Sequence, residues 1–197
     1  MQAAVRDARR EHLLEAARIE FADLGLDGAS MRGIALRAGC TTGAIYPLFA
    51  TKESIYAALL HESLERLHAA VATAAAPARS PAAAVERGAL GFVAYYEERR
   101  FELNLGLHAF HGLKRSGVGA ALDQSLNGAL KQALDVIARP LAAHLGLHHA
   151  RARKQTMLLF SQMVGALVLN AAGRLETGGV GAAALVRMQV ELLLQRK

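Results

Sequence analysis

Cysteine is almost missing: Cys40 stands alone in 197 residues, so no disulfide can close within the chain. A secreted, disulfide-stapled scaffold is thereby excluded. Aromatic residues are scarce as well, at 5% with no Trp, although apolar residues reach 53%. The core must therefore be built mostly from Ala, Leu and Val. Ala and Leu are strong helix formers, whereas a sheet would draw on β-branched and aromatic residues. Only four prolines in the chain leave room for long helices. A membrane-length apolar run is also lacking. The longest apolar stretch, Met157 to Ala172, is broken by Ser161, Gln162 and Asn170 and falls short of the roughly 20 residues a span needs. The first residues alternate charge with apolar side chains and contain no signal-type hydrophobic core. The expectation is an all-α, soluble, cytoplasmic protein with no membrane partner.

A one-sided charge is missing where it would matter most. The whole chain carries +6, yet residues 1–60 hold seven basic side chains (Arg6, Arg9, Arg10, Arg18, Arg32, Arg37, Lys52) and seven acidic ones (Asp7, Glu11, Glu15, Glu20, Asp23, Asp27, Glu53). Net charge speaks to solubility and non-specific attraction, not to which element binds. Any nucleic-acid reading of this segment has to rest on local geometry.

That geometry is present. Leu14, Ala17, Phe21 and Leu24 recur three and four apart, which predicts one buried stripe on a helix from Asp7 to Leu24. Gly25 is placed to stop it, and Asp27-Gly28 reads as a turn. Ser30 is a good N-cap for a short second helix to Ala38, with Met31, Ile34, Ala35 and Ala38 facing inward. Gly33 occupies the place where a capping box would carry Glu. Gly39 closes this helix, and Thr41 is expected to cap a third from Thr42 to about Leu48. Two short helices joined by a tight Gly-containing turn make a helix-turn-helix, whose second helix fits a DNA major groove. A fourth helix is expected from near Thr51 to Ala75, then a break at 76–81, then helices near 82–98, 102–112, 119–145, 149–173 and 180–196.

Residues Gly43-Ala44-Ile45-Tyr46-Pro47-Leu48-Phe49-Ala50-Thr51-Lys52-Glu53-Ser54-Ile55, preceded by Ile34-Ala35-Leu36-Arg37-Ala38-Gly39-Cys40, resemble the signature of the TetR family of transcriptional regulators. Ala16-Ala17 and Phe21-Ala22 with Gly25 are similar to the family's first helix. The resemblance covers about the first 60 residues and implies two parts. Residues 1–50 would be a three-helix DNA-binding domain, and 51–197 a helical ligand-binding and dimerisation domain. It also implies a repressor that binds a palindromic double-stranded operator as a homodimer and leaves it when a small-molecule effector binds.

Each DNA-facing candidate has a physical reason. Gly43 lets a phosphate or base edge approach without a Cβ in the way. Ile45 and Phe49 anchor the helix inward, so Tyr46 points outward with its hydroxyl free for a phosphate. Thr41, Thr42 and Ala44 offer methyls, and in the threonines hydroxyls, to the groove. Arg32 stands at the start of the second helix. Lys52, at a helix N-terminus where a cation gains nothing from the dipole, is expected on a phosphate. Pro47 and Leu48 depart from the polar or aromatic residues the family usually has there. Pro47 removes an N–H and tightens the helix end, and Leu48 removes a hydrogen bond to the DNA backbone.

Beyond residue 80, Phe92, Tyr95, Tyr96, His108 and His111 on consecutive helices, with Met157, Phe160 and Met163 later, could line an apolar pocket for a lipophilic or aromatic effector. A plain bundle core would use the same residues. His108 with His111, and His144 with His148 and His149, lack the converging spacing of a zinc site, and no metal or cofactor is expected. No nucleophile motif surrounds Ser161, so no catalytic residue is assigned. Cys40 sits where a small apolar side chain suffices. The helices at about 149–173 and 180–196 are the expected dimer interface. The competing reading is a small-molecule binding protein whose DNA-binding unit is vestigial.

Overall fold

A computed structural model describes residues 1–108, 120–175 and 178–195. Among them the regular structure is α-helix: α1 (Gln2–Gly28), α2 (Met31–Arg37), α3 (Thr42–Ile45), α4 (Lys52–Ala75), α5 (Pro81–Glu98), α6 (Arg100–His108), α7 (Ala120–Leu145), α8 (His149–Ala171) and α9 (Ala182–Leu194). The chain packs as two compact units. One is Met1–Glu62 with Asn104–Leu126, and the other is Ser63–Leu103 with Asn127–Lys197.

In the first unit, α1 packs on α2 and α2 on α3. Leu14, Ala17 and Phe21 are buried as their spacing requires, joined by Leu13, Ala16 and Glu20. The stripe ends there, and Leu24, expected inside, is 53% exposed. Gly25 takes φ +68, which no other residue in the turn adopts, and the Ala29 N–H returns to its carbonyl. This is the left-handed helix stop glycine supplies at no Cβ cost. Ser30 caps α2, its Oγ accepting from the Gly33 N–H at 3.0 Å. Ile34 and Ala35 are buried, and Met31 only partly so.

Gly33 is small for a reason the pattern of caps did not reveal. A Cβ there would stand 1.9 Å from Glu20 Oε1. The buried Glu20 carboxylate occupies that space and pairs with Arg37 Nε at 2.5 Å, while Arg37 Nη2 reaches Asp23 at 2.7 Å. The Glu20 hydrogen bond leads the interactions that raise the Arg37 pKa above its ordinary value.

In the second unit, α5 packs against α8 and α9, which also pack on each other. Ser80 caps α5 with Pro81 in its first turn, and Ser80 Oγ accepts from Ala83 N at 3.2 Å. The break at 76–81 thus serves to start the next helix. Gly91 allows α4 and α5 to close: a Cβ there would meet Ala74 Cβ at 2.6 Å. Val85, Phe92, Ile137, Leu141, Leu159, Met163 and Val190 fill the interior. The expected extension of α6 to 112, and the loop at 117–119, lie outside the described residues.

Candidate nucleic-acid interface

α3 is four residues long and its length follows from Pro47. A prolyl nitrogen has no proton to return to the Gly43 carbonyl, so the α ladder cannot continue. The chain tightens instead, with Leu48 N donating to Ile45 O at 2.8 Å and Phe49 N to the same oxygen at 2.9 Å. The expected end at Leu48 therefore moves back to Ile45. Thr41 holds the N-cap position with extended backbone, but its side chain makes no cap hydrogen bond.

Ile45 and Phe49 are buried at 0% and 6% exposure, which fixes the orientation of α3. The Arg10 guanidinium covers the Phe49 ring at 5.7 Å. Tyr46, on the opposite side, is 56% exposed. Thr41, Gly43 and Ala44 are exposed beside it, and Thr42 partly so. A Cβ at Gly43 would make only an ordinary contact, 3.8 Å from Thr41 Oγ1. Nothing inside the unit demands glycine there. Arg32, at the start of α2, is also exposed.

Lys52 is placed differently from its expected contact. Its Nζ donates to the carbonyls of Leu26 at 3.0 Å, Ala29 at 3.2 Å and Asp27 at 3.4 Å. An ammonium has three protons, and the turn at the end of α1 takes all of them. Carbonyls at a helix C-terminus lack intrahelical donors and favour a cation, so the charge sits where the dipole wants it. At the start of α4 itself, Thr51 and Ser54 cap each other, Ser54 N on Thr51 Oγ1 at 3.2 Å and Thr51 N on Ser54 Oγ at 3.3 Å.

Cys40 is half-buried and lies beside His12, whose Nε2 donates to the Ala38 carbonyl at 3.0 Å.

The ligand candidates separate into two groups. Phe92, Tyr96 and Phe160 form edge contacts, with Phe92 centroids 5.1 Å from Tyr96 and 5.8 Å from Phe160, and Tyr95 lies 5.2 Å from Tyr96. Met163 is buried in the same unit, whereas Met157 is 53% exposed. His108 belongs to the first unit and stands edge-on to Tyr56 at 5.6 Å. His111 lies outside the described residues.

A buried polar centre beside this aromatic set had no sequence signal. Glu102 Oε2 accepts from Ser63 Oγ at 2.7 Å and from Tyr95 Oη, and Oε1 accepts from Arg66 Nη2 at 3.1 Å. Burial pushes the Glu102 carboxyl up, but the hydrogen bonds from Tyr95 and Ser63 and the Arg66 charge outweigh it and hold the group below its ordinary value. Burial, and then the Glu102 contact, push the Tyr95 phenol up, and burial does the same to Tyr96. The residues come from α4, α5 and α6, so no spacing along one helix could have linked them.

His144 Nε2 donates to the Leu194 carbonyl at 3.2 Å, and His148 Nδ1 accepts from Ala150 N at 3.4 Å. Among the described residues, no group of three His, Cys, Asp or Glu side chains is arranged to hold a metal ion. None of the described helices is long and apolar enough to cross a membrane.

Residues 13–59 match the sequence model for bacterial regulatory proteins of the tetR family. Over 64 residues the chain is 39% identical to the HTH-type transcriptional repressor AcnR of Corynebacterium diphtheriae, covering 32% of this chain and 34% of that one. Over 66 residues it is 41% identical to the repressor Rv1474c of Mycobacterium tuberculosis, covering 34% and 35%. The matched segment thus spans about a third of these curated relatives. Across 94% of its length the chain shares the fold of the Bacillus subtilis transcriptional regulator FadR in complex with stearoyl-CoA, with TM-score 0.70, 21% identity and 97% of that chain covered. The anchored α3, the capped α2 before it and the sequence match over 13–59 lead to one assignment. Over residues 13–59 the chain is similar to the tetR family of bacterial regulatory proteins.

Proposed function

We propose that this protein is a transcriptional repressor that binds a palindromic operator as a homodimer and is released by a small lipophilic or aromatic ligand. The observation that carries the reading is the outward face of α3. Tyr46 is 56% exposed, with Thr42, Gly43 and Ala44 beside it, on a helix held by the buried Ile45 and Phe49. A short helix so anchored is the element that enters a major groove. Residues 1–50 are the DNA-binding part, with Arg32, Thr41, Thr42, Gly43, Ala44 and Tyr46 facing DNA. Lys52 acts by fixing the α1–α2 turn against the start of α4.

The dimer is proposed through α8 and α9. These helices carry solvent-exposed Leu158, Val168, Leu169, Met188 and Leu192, and Met157 joins that face. Gly165 is exposed with open space where a Cβ would be, so a partner helix can come close. The effector site is proposed within 51–197 around Phe92, Tyr95, Tyr96, Phe160 and Met163, with His108 and His111 as further candidates. The stearoyl-CoA bound by FadR supports a lipophilic ligand class. Ligand binding would shift α4, and with it the spacing of the two α3 helices, provided the ligand prefers the DNA-incompetent arrangement.

Gel shifts with the intergenic DNA upstream of the protein's own gene test the reading. A sequence-specific, salt-sensitive shift is expected, and its absence would sink the operator assignment. One observation favours the rival, a ligand-binding protein with a vestigial DNA unit: Pro47 shortens α3, and Leu48 offers the DNA no donor. Under the rival, Tyr46→Ala leaves every measured activity unchanged.

A further inference from the structure

The neutral charge of residues 1–60 is unevenly disposed once the ion pairs are located. Glu20 and Asp23 are held by Arg37, Glu11 and Glu62 by Arg10, and Glu15 by Arg18. Lys52 is engaged by carbonyls. Arg6 and Arg9 are exposed and take part in none of these pairs. They lie three apart on the first turns of α1, a part of the helix that begins at Gln2 and not at the expected Asp7, so they share a face.

That face looks onto α3. Val5, Arg6 and Arg9 form one side of an open cleft of about 670 Å³, and Ala44, Pro47 and Leu48 form the other. An adjoining cleft of about 500 Å³ shares Val5, Arg9, Ala44 and Leu48. The groove beside the recognition helix therefore has an apolar floor and, at its edge, two guanidiniums that pair with no carboxylate among the described residues. A nucleic-acid backbone has the matching chemistry, with apolar sugar faces between anionic phosphates. Guanidinium is the side chain best suited to grip a phosphate through two parallel hydrogen bonds.

We propose that the N-terminal turns of α1 are a second DNA-backbone clamp, in which Arg6 and Arg9 hold phosphates of the strand flanking α3. The proposal rests on the DNA-binding function above. It accounts for how this half-site grip can do without donors at positions 47 and 48: the charge comes from the neighbouring helix across the cleft. Such contacts position the protein and carry no sequence information.

The full-length protein is tested on two duplexes, one enriched by the wild type from a random library and one of unselected sequence. Binding is measured by fluorescence anisotropy across a salt series. For Arg6→Ala with Arg9→Ala, affinity should fall on both duplexes alike. The slope of log K against log salt should drop by about 1.8 per protomer, from about 0.9 for each phosphate that is no longer neutralised. Arg6→Lys with Arg9→Lys should recover most of the slope. Because both arginines are exposed, the melting temperature should not move. If Tyr46→Ala abolishes the selected binding while the double Ala variant matches the wild type in affinity and slope, the clamp is overturned and the repressor reading stands. If the wild type enriches no sequence and Tyr46→Ala changes nothing, the repressor reading falls and takes the clamp with it. A change in oligomeric state of the double variant would assign the cleft to a second protein chain and also overturn the clamp.

Discussion

Three carbonyls of the α1–α2 turn converge on the Lys52 ammonium at 3.0 to 3.4 Å. Removing the charge while keeping the stem, as in Lys52→Met, leaves part-buried oxygens without a donor. A loss of about 1–3 kcal/mol is expected, the cost of orphaning such groups, read as a lower thermal midpoint without DNA. A lysine serving only as a phosphate ligand would leave that midpoint unmoved. Gly33 gives a second test at this scale. In Gly33→Ala the new Cβ falls 1.9 Å from Glu20 Oε1, so the carboxylate must swing away from Arg37 or the helices must part. Alanine is the better helix former by up to about 1 kcal/mol, yet the urea midpoint should fall. A rise would show that Glu20 does not need that space.

Between elements of the second unit, a close helix approach and one buried carboxylate add to the apolar core. Gly91→Ala sets a Cβ 2.6 Å from Ala74 Cβ. A Cβ fixed to a helix backbone cannot rotate aside, so the helices have to separate. A destabilisation of about 1–3 kcal/mol is expected, as for an overpacked core; equal or greater stability by denaturant titration would contradict the close packing of α4 on α5. Glu102 ties Ser63 and Arg66 of α4 to Tyr95 of α5. Its folded-state pKa lies below its ordinary 4.5. The unfolded chain therefore binds the proton first as pH falls. The stability it contributes is complete above that ordinary value and is lost as pH drops through the folded one. Urea midpoints measured downward from neutral pH should fall more steeply below pH 4.5 for the wild type than for Glu102→Gln. Parallel curves would remove Glu102 from that role.

For the whole molecule, the consequential surface is the apolar face of α8 and α9. Met188 and Leu192 are 59% and 57% exposed, four apart on one side of α9. Apolar side chains grouped so on a helix mark a binding surface more than chance exposure does. Under the dimer proposed above, Met188→Asp with Leu192→Asp should yield monomers by sedimentation while leaving helix content intact, since neither side chain is in the core. If the proposed dimer spans two half-sites, operator affinity should fall with it. A dimer that survives the double substitution would place the interface elsewhere.

Local rules were enough for the existence and order of the helices and for the α3 anchor, though not for the start of α1 or the end of α3. Apolar spacing, Gly25, Ser30 and Pro47 act over a few residues, and Ile45 and Phe49 are buried where a period of 3.6 puts them. The match of 13–59 to the family was legible for the same reason, since that unit's constraints are mostly short-range. Partners distant in sequence were not legible. The fate of Lys52 depended on carbonyls 23 to 26 residues away, that of Gly33 on Glu20, and that of Glu102 on Ser63, 39 residues back. Leu24 followed the buried period and still came out exposed. Periodicity names the face a residue lies on, but only tertiary packing decides what covers that face and which charge meets which partner.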